Sequence, residues 1–100
     1  MAVLDRHTIV DAVCGLLPDY DVKEAYLFGS YARGDADGDS DVDICVECGN
    51  SFTLFSLGGL GASLEKALGV PVDVVCGSDS FYPRAKKRYL RDRRLFYAKS

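Results

Sequence analysis

Residues 26–44 read Tyr-Leu-Phe-Gly-Ser-Tyr-Ala-Arg-Gly-Asp-Ala-Asp-Gly-Asp-Ser-Asp-Val-Asp-Ile, and this stretch decides the fold. Its first part closes a short apolar and aromatic run, Lys23 to Phe28, that predicts a strand. Gly29-Ser30 breaks that strand, and Tyr31-Ala32-Arg33 predicts a single turn of helix before Gly34. Residues 34–40 form a polar loop rich in Gly and Asp. Val42, Ile44 and Val46 then alternate with Asp41, Asp43 and Cys45, the pattern of a half-buried strand.

Working outward, Ile9, Val10, Val13, Leu16 and Leu17 recur at helical spacing, which predicts an amphipathic helix over 5–17, ended by Pro18 and Asp19. Beyond the Gly49-Asn50 turn, Leu57, Leu60, Leu64, Ala67 and Leu68 predict a helix with Gly69 as its C-cap. Pro71 to Cys76 predicts a third strand, residues 83–93 a basic helix, and Leu95-Phe96-Tyr97 a short edge strand. Residues 51–60 read as apolar, Gly-bearing and loosely helical, either core or a docking surface, with core favoured. Strands and helices alternate, without internal repeats or a linker. The expectation is one α/β (α+β) domain over 1–100, with a sheet of three or four strands.

The composition, 48% hydrophobic and 27% charged over 100 residues, excludes a disordered chain. No apolar run is long enough to span a membrane, and Asp5, Arg6 and Asp11 interrupt the N-terminal stretch as they would not in a signal peptide. A cytoplasmic protein with no membrane partner is expected. Of the four cysteines, Cys45 and Cys48 form a C-x-x-C pair, with Cys14 and Cys76 isolated in sequence. Residues three apart on a strand face opposite ways, so zinc is discounted and buried thiols are expected. Residues 84–100 carry eight basic side chains (Arg84, Lys86, Lys87, Arg88, Arg91, Arg93, Arg94, Lys99) against Asp92; their net +7 leaves −10 for the rest of a chain of net charge −3. A solvated helix face is the simplest reading of that segment, with contact to nucleotide phosphates or to an acidic partner patch as the alternative; direct nucleic-acid binding is not expected.

Asp35, Asp37, Asp39, Asp41 and Asp43 fall at every second position. A calcium loop requires Gly at its sixth position and Glu at its twelfth. Counted from Asp35 these are Ser40 and Val46, and from Asp37 they are Val42 and Cys48, so that pattern fails. Asp41 and Asp43, on the strand, direct their carboxylates to one face while Val42 and Ile44 anchor the other. Two adjacent carboxylates resist joint ionisation unless a cation compensates them, and rigid hard oxygens suit Mg²⁺. Asp73, in the apolar run Val-Asp-Val-Val, either faces solvent or presents a third carboxylate to the same cations. Three carboxylates on two strands can hold two divalent ions about 3.5–4 Å apart, which suits in-line phosphoryl displacement. Gly29-Ser30, between strand and helix, adds backbone N–H groups and a hydroxyl suited to phosphate oxygens. Arg33 reaches the same phosphates or braces the acidic loop; both readings stand.

These residues resemble the nucleotidyltransferase superfamily related to DNA polymerase beta, and within it the minimal, MNT-type members paired with HEPN-domain proteins in toxin–antitoxin modules. The likeness rests on Gly29-Ser30, Gly34 and Ser40-Asp41-Val42-Asp43-Ile44, supported by Tyr26-Leu27-Phe28 and Val72-Asp73-Val74-Val75. It implies a mixed sheet with helices packed mainly on one side. It implies that Asp41, Asp43 and Asp73 bind two Mg²⁺ ions, with ATP as substrate, and that Asp73 helps deprotonate the acceptor hydroxyl. It implies phosphate contacts from Gly29 and Ser30, with Ser40 orienting the start of the strand near the nucleotide. It also implies an antitoxin that attaches AMP to a tyrosine of a HEPN ribonuclease. Two alternatives are an antitoxin acting by occlusion alone and a small-molecule nucleotidyltransferase completed by a second subunit.

Overall fold

A computed structural model describes residues 4–77 and 81–98; Lys99 of the basic segment lies outside them. The order is α1 (Arg6–Leu16), a 3₁₀ turn (Leu17–Asp19), β1 (Val22–Phe28), α2 (Gly29–Arg33), β2 (Val42–Cys48), α3 (Leu54–Leu68), β3 (Val72–Cys76), α4 (Pro83–Asp92) and β4 (Arg94–Ala98). The strands form one mixed sheet in the order β3-β2-β1-β4. β1 runs antiparallel to both β2 and β4, whereas β2 and β3 are parallel, joined through α3.

Asp5 caps α1 by accepting the His7 N–H at 2.7 Å. Helix α3 is more regular at its start than the sequence suggested. Thr53 and Ser56 form a reciprocal capping box there, so the helix begins at Leu54 rather than near Leu57. Gly69 ends it in the left-handed conformation, φ +73°.

The main core lies between one face of the sheet and helices α1 and α3. Ile9, Val13 and Leu17 meet Leu60, Leu64 and Leu68 over Ala25, Leu27, Val42, Ile44, Val46 and Val72. Each fully buried Leu or Ile contributes about 1.5–3 kcal/mol relative to exposure. A register shift between Val22 and Glu24 lets Val22 and Ala25 both enter this core, although simple alternation would separate them. Leu60 is fully buried, while Leu54 and Phe55 are 85% and 93% exposed, so only part of the 51–60 segment is core.

The opposite face of the sheet carries a smaller cluster, in which Tyr89 of α4 buries against Tyr26 and Cys45. Phe81 stacks on Tyr89 with centroids 4.8 Å apart, and Phe28 meets Tyr89 edge-on at 5.3 Å. The Arg93 guanidinium lies 4.4 Å above the Tyr26 ring. The basic helix is therefore docked by one aromatic face, more than a solvated stripe. Cys45 and Cys48 do point to opposite faces, Cys45 into this cluster and Cys48 toward the main core.

Candidate active site

The site forms where β1 stops. Its last residue, Phe28, is extended (φ −138°) and offers no side-chain cap to α2, so the first backbone N–H groups of that short helix lack a side-chain partner. Gly29 has φ +70°, a conformation that side chains rarely adopt. A Cβ there would also collide with the Asp43 carboxylate. Both constraints place backbone directly against an acidic side chain, and only glycine satisfies them.

Strand β2 supplies that carboxylate. Asp43 pairs with Phe28 of β1 on one side and with Asp73 of β3 on the other. In-register neighbours share a face, so Asp43 and Asp73 both lie on the side of the sheet opposite the main core. Asp41 precedes the first residue of β2 and is exposed, as is Asp73, while Asp43 is half-buried. Burial raises the Asp43 pKa from 3.8 to about 6, with further upward contributions from Asp73 and Asp41 and a smaller opposing one from Arg33. Asp43 therefore senses both of the other acids. Among the described residues, however, no three metal-ligating side chains are already gathered as a coordination sphere.

The acidic loop is held by its own side chains. Ser40 Oγ accepts the Asp37 N–H at 2.8 Å and donates to Asp37 Oδ1 at 3.3 Å. The Asp39 N–H also reaches Asp37 Oδ1, at 2.9 Å. Ser40 is thus occupied in shaping the approach to β2. Arg33 Nε donates to Asp35 Oδ2 at 3.1 Å, and its Nη1 lies 4.0 Å from Asp92. It braces the loop and links it toward α4. Ser30 accepts the Gly34 and Asp35 N–H groups through its backbone carbonyl, at 2.9 and 3.1 Å.

The contribution of α4, left open by the sequence between a solvated face and a contact to nucleotide phosphates or a partner, is now visible. A cleft of about 160 Å³ opens beside Gly29, walled by Phe28, Phe81, Arg88, Tyr89, Arg33 and Asp92. The signal available in the sequence was Tyr89 inside the basic segment, with Phe81 just before it. A second correction concerns Cys76. Although isolated in sequence, it lies with its Sγ 2.7 Å from Cys48 Sγ, because parallel pairing carries the ends of β2 and β3 to the same place.

The nucleotidyltransferase domain family matches residues 7–99 of the chain. A Methanocaldococcus jannaschii protein assigned as a protein adenylyltransferase, MJ0435, is 42% identical over 77 residues, covering 77% of this chain and 82% of its own. A solved structure described as a minimal nucleotidyltransferase is 33% identical with a TM-score of 0.72, covering 94% of this chain and 98% of that one. The fold recurs, at 22% identity and a TM-score of 0.71, in a complex of a tri-AMPylated Shewanella oneidensis HEPN toxin with MNT antitoxin; 95% of this chain and 74% of that one are covered. Together with the Gly29–Asp43–Asp73 arrangement, these matches identify the chain as a member of the nucleotidyltransferase domain family, an enzyme of the nucleotidyl-transferring class.

Proposed function

We propose that the chain transfers AMP from ATP to a hydroxyl, on a tyrosine, of a HEPN-domain ribonuclease, and thereby acts as that toxin's antitoxin. The observation that carries this reading is the in-register pair Asp43–Asp73 beside the positive-φ Gly29. Two further facts support it: the similar MJ0435 is assigned as a protein adenylyltransferase, and the same fold occurs in the antitoxin complex with an AMPylated HEPN toxin.

The acidic residues fit a divalent cation. A half-buried carboxylate with a raised pKa and two acidic neighbours lacks sufficient positive compensation, since Arg33 offsets only part of the repulsion. Asp41, Asp43 and Asp73 would hold two Mg²⁺ ions, the exposed Asp41 and Asp73 turning toward the fixed Asp43. Bound Mg²⁺ supplies charge neutralisation of the phosphates and a lowered pKa for the acceptor hydroxyl.

The chain's own groups account for the remaining requirements. Gly29 brings backbone close to the carboxylate cluster, so its N–H and the Ser30 hydroxyl hold the outer phosphates and align pyrophosphate for departure. Asp73, at the outer strand β3, accepts the proton of the acceptor hydroxyl as it attacks the α-phosphorus. Arg33 and Ser40 fix the loop that delivers Asp41 to the cluster.

The test is incubation with the HEPN partner and Mg-ATP, followed by intact-mass measurement. Addition of one or more AMP units to the partner is expected, with loss of the modification in Asp43→Asn. Tight association with no added mass would show that neutralisation works by occlusion.

A further inference from the structure

Cys48 and Cys76 take no part in the nucleotide site. They stand on the sheet face turned toward the main core, whereas Asp43 and Asp73 occupy the opposite one. Cys76 pairs in register with Val46, and Cys48 lies two residues beyond Val46, so alternation directs both thiols to the same side. Their sulfurs are 2.7 Å apart although the residues are 28 apart in sequence. Both are only partly buried, which leaves a path for a small reagent. The other two cysteines cannot compete: Cys45 is enclosed on the opposite face with Tyr26 and Tyr89, and Cys14 lies on α1 with its Sγ directed at the Phe96 carbonyl, 3.8 Å away.

We propose that Cys48 and Cys76 form a modification site, closing to an intrachain disulfide between β2 and β3 on exposure to a low-molecular-weight disulfide such as oxidised glutathione. One cysteine thiolate attacks a sulfur of the oxidant, forming a mixed disulfide and releasing one glutathione thiolate. The second cysteine thiolate then displaces the remaining glutathione, forming the Cys48–Cys76 bond. Two protein thiols are oxidised and the oxidant is reduced to two thiols, which take up the protons that the cysteines release. The two sulfurs already adjoin, so the second step outruns any other fate of the mixed disulfide. Burial holds the Cys48 thiol well above the ordinary thiol range, so closure accelerates as pH rises from neutral. The bond ties the far ends of the two strands that carry Asp43 and Asp73, and it leaves the register of those acids unchanged.

The folded chain is treated with oxidised glutathione, quenched with an alkylating reagent and mapped by mass spectrometry. The expected result is loss of two alkylatable thiols, with the Cys48 and Cys76 peptides joined and no glutathione retained. Cys14→Ala and Cys45→Ala retain this behaviour, whereas Cys48→Ala instead accumulates a mixed disulfide at Cys76 or does not react. Persistent glutathione on the wild-type protein, linkage through another cysteine, or a bond that forms only in denaturant would overturn the proposal.

Discussion

Asp43 of β2 and Asp73 of β3 are direct partners across a parallel pairing, so their carboxylates leave the same side of the sheet. They are 30 positions apart in the chain, and α3 returns the backbone so that the two strands run alongside each other. The result is a concentrated negative charge at the point where Gly29 brings in backbone. Like charges so placed raise the protonation tendency of the more buried one, and a cation relieves them.

Replacing Asp43 by Asn removes the proposed central ligand together with the repulsion it feels. Transfer of AMP should fall by at least about a hundredfold, the scale of losing a principal charge-stabilising group. The metal-free fold should survive intact, checked by thermal melting and by the mass of the partner after incubation.

The folded protein keeps the Asp43 proton up to about pH 6, while the unfolded chain releases it near 3.8. Folding thus gains from protonation below pH 3.8, and that gain disappears as pH rises through 6. The group is half exposed, so solvent screening reduces the effect to about 1–2 kcal/mol. Thermal melts of the metal-free protein between pH 4 and pH 7 should show this loss, and Asp43→Asn should flatten it. Added Mg²⁺ competes with the proton, so its stabilisation should grow over the same interval.

Gly29→Ala introduces a Cβ at φ +70° that collides with the Asp43 carboxylate. Together these should cost about 2–3 kcal/mol of stability, visible as a lower Tm. Transfer should be lost as well, because the carboxylate must move to admit the methyl group.

Asp73→Asn separates binding from chemistry. If Asp73 receives the acceptor proton, kcat should drop by about 10²–10⁴ while ATP affinity changes only a few fold. Steady-state rates and equilibrium nucleotide titration, measured on the same preparation, decide this.

Leu64 is fully buried between α3 and the sheet, whereas Phe55 on the same helix is 93% exposed. Leu64→Ala should destabilise by about 2–5 kcal/mol. Phe55→Ser should stay within about 0.5 kcal/mol of the parent. Denaturant midpoints for the two variants test whether α3 presents the face described.

Much of this protein was legible in its sequence because the signals are local. Alternation of Val42, Ile44 and Val46 with Asp41, Asp43 and Cys45 specifies a strand with one apolar and one functional face. The Gly29-Ser30 break, the Pro18 stop and the Gly69 cap depend on backbone sterics of single residues, so the boundaries fell within a few positions of their places. The start of α3 was less clear: its Thr53–Ser56 box uses Ser where Glu or Gln is the usual signal, and Gly58, Gly59 and Gly61 weaken the helical pattern.

Strand adjacency was decided only in three dimensions. Which strand lies beside β2, and in what register, depends on how α3 packs across the sheet, and no local pattern encodes that choice. This adjacency makes Asp73 a neighbour of Asp43 and brings the Cys76 sulfur to Cys48, while the packing of α4 on β1 and β2 seats Tyr89, with Phe81, beside Gly29. Short-range sterics and periodicity act over a few residues and can be read along the chain; contacts between distant segments exist only once the core has packed.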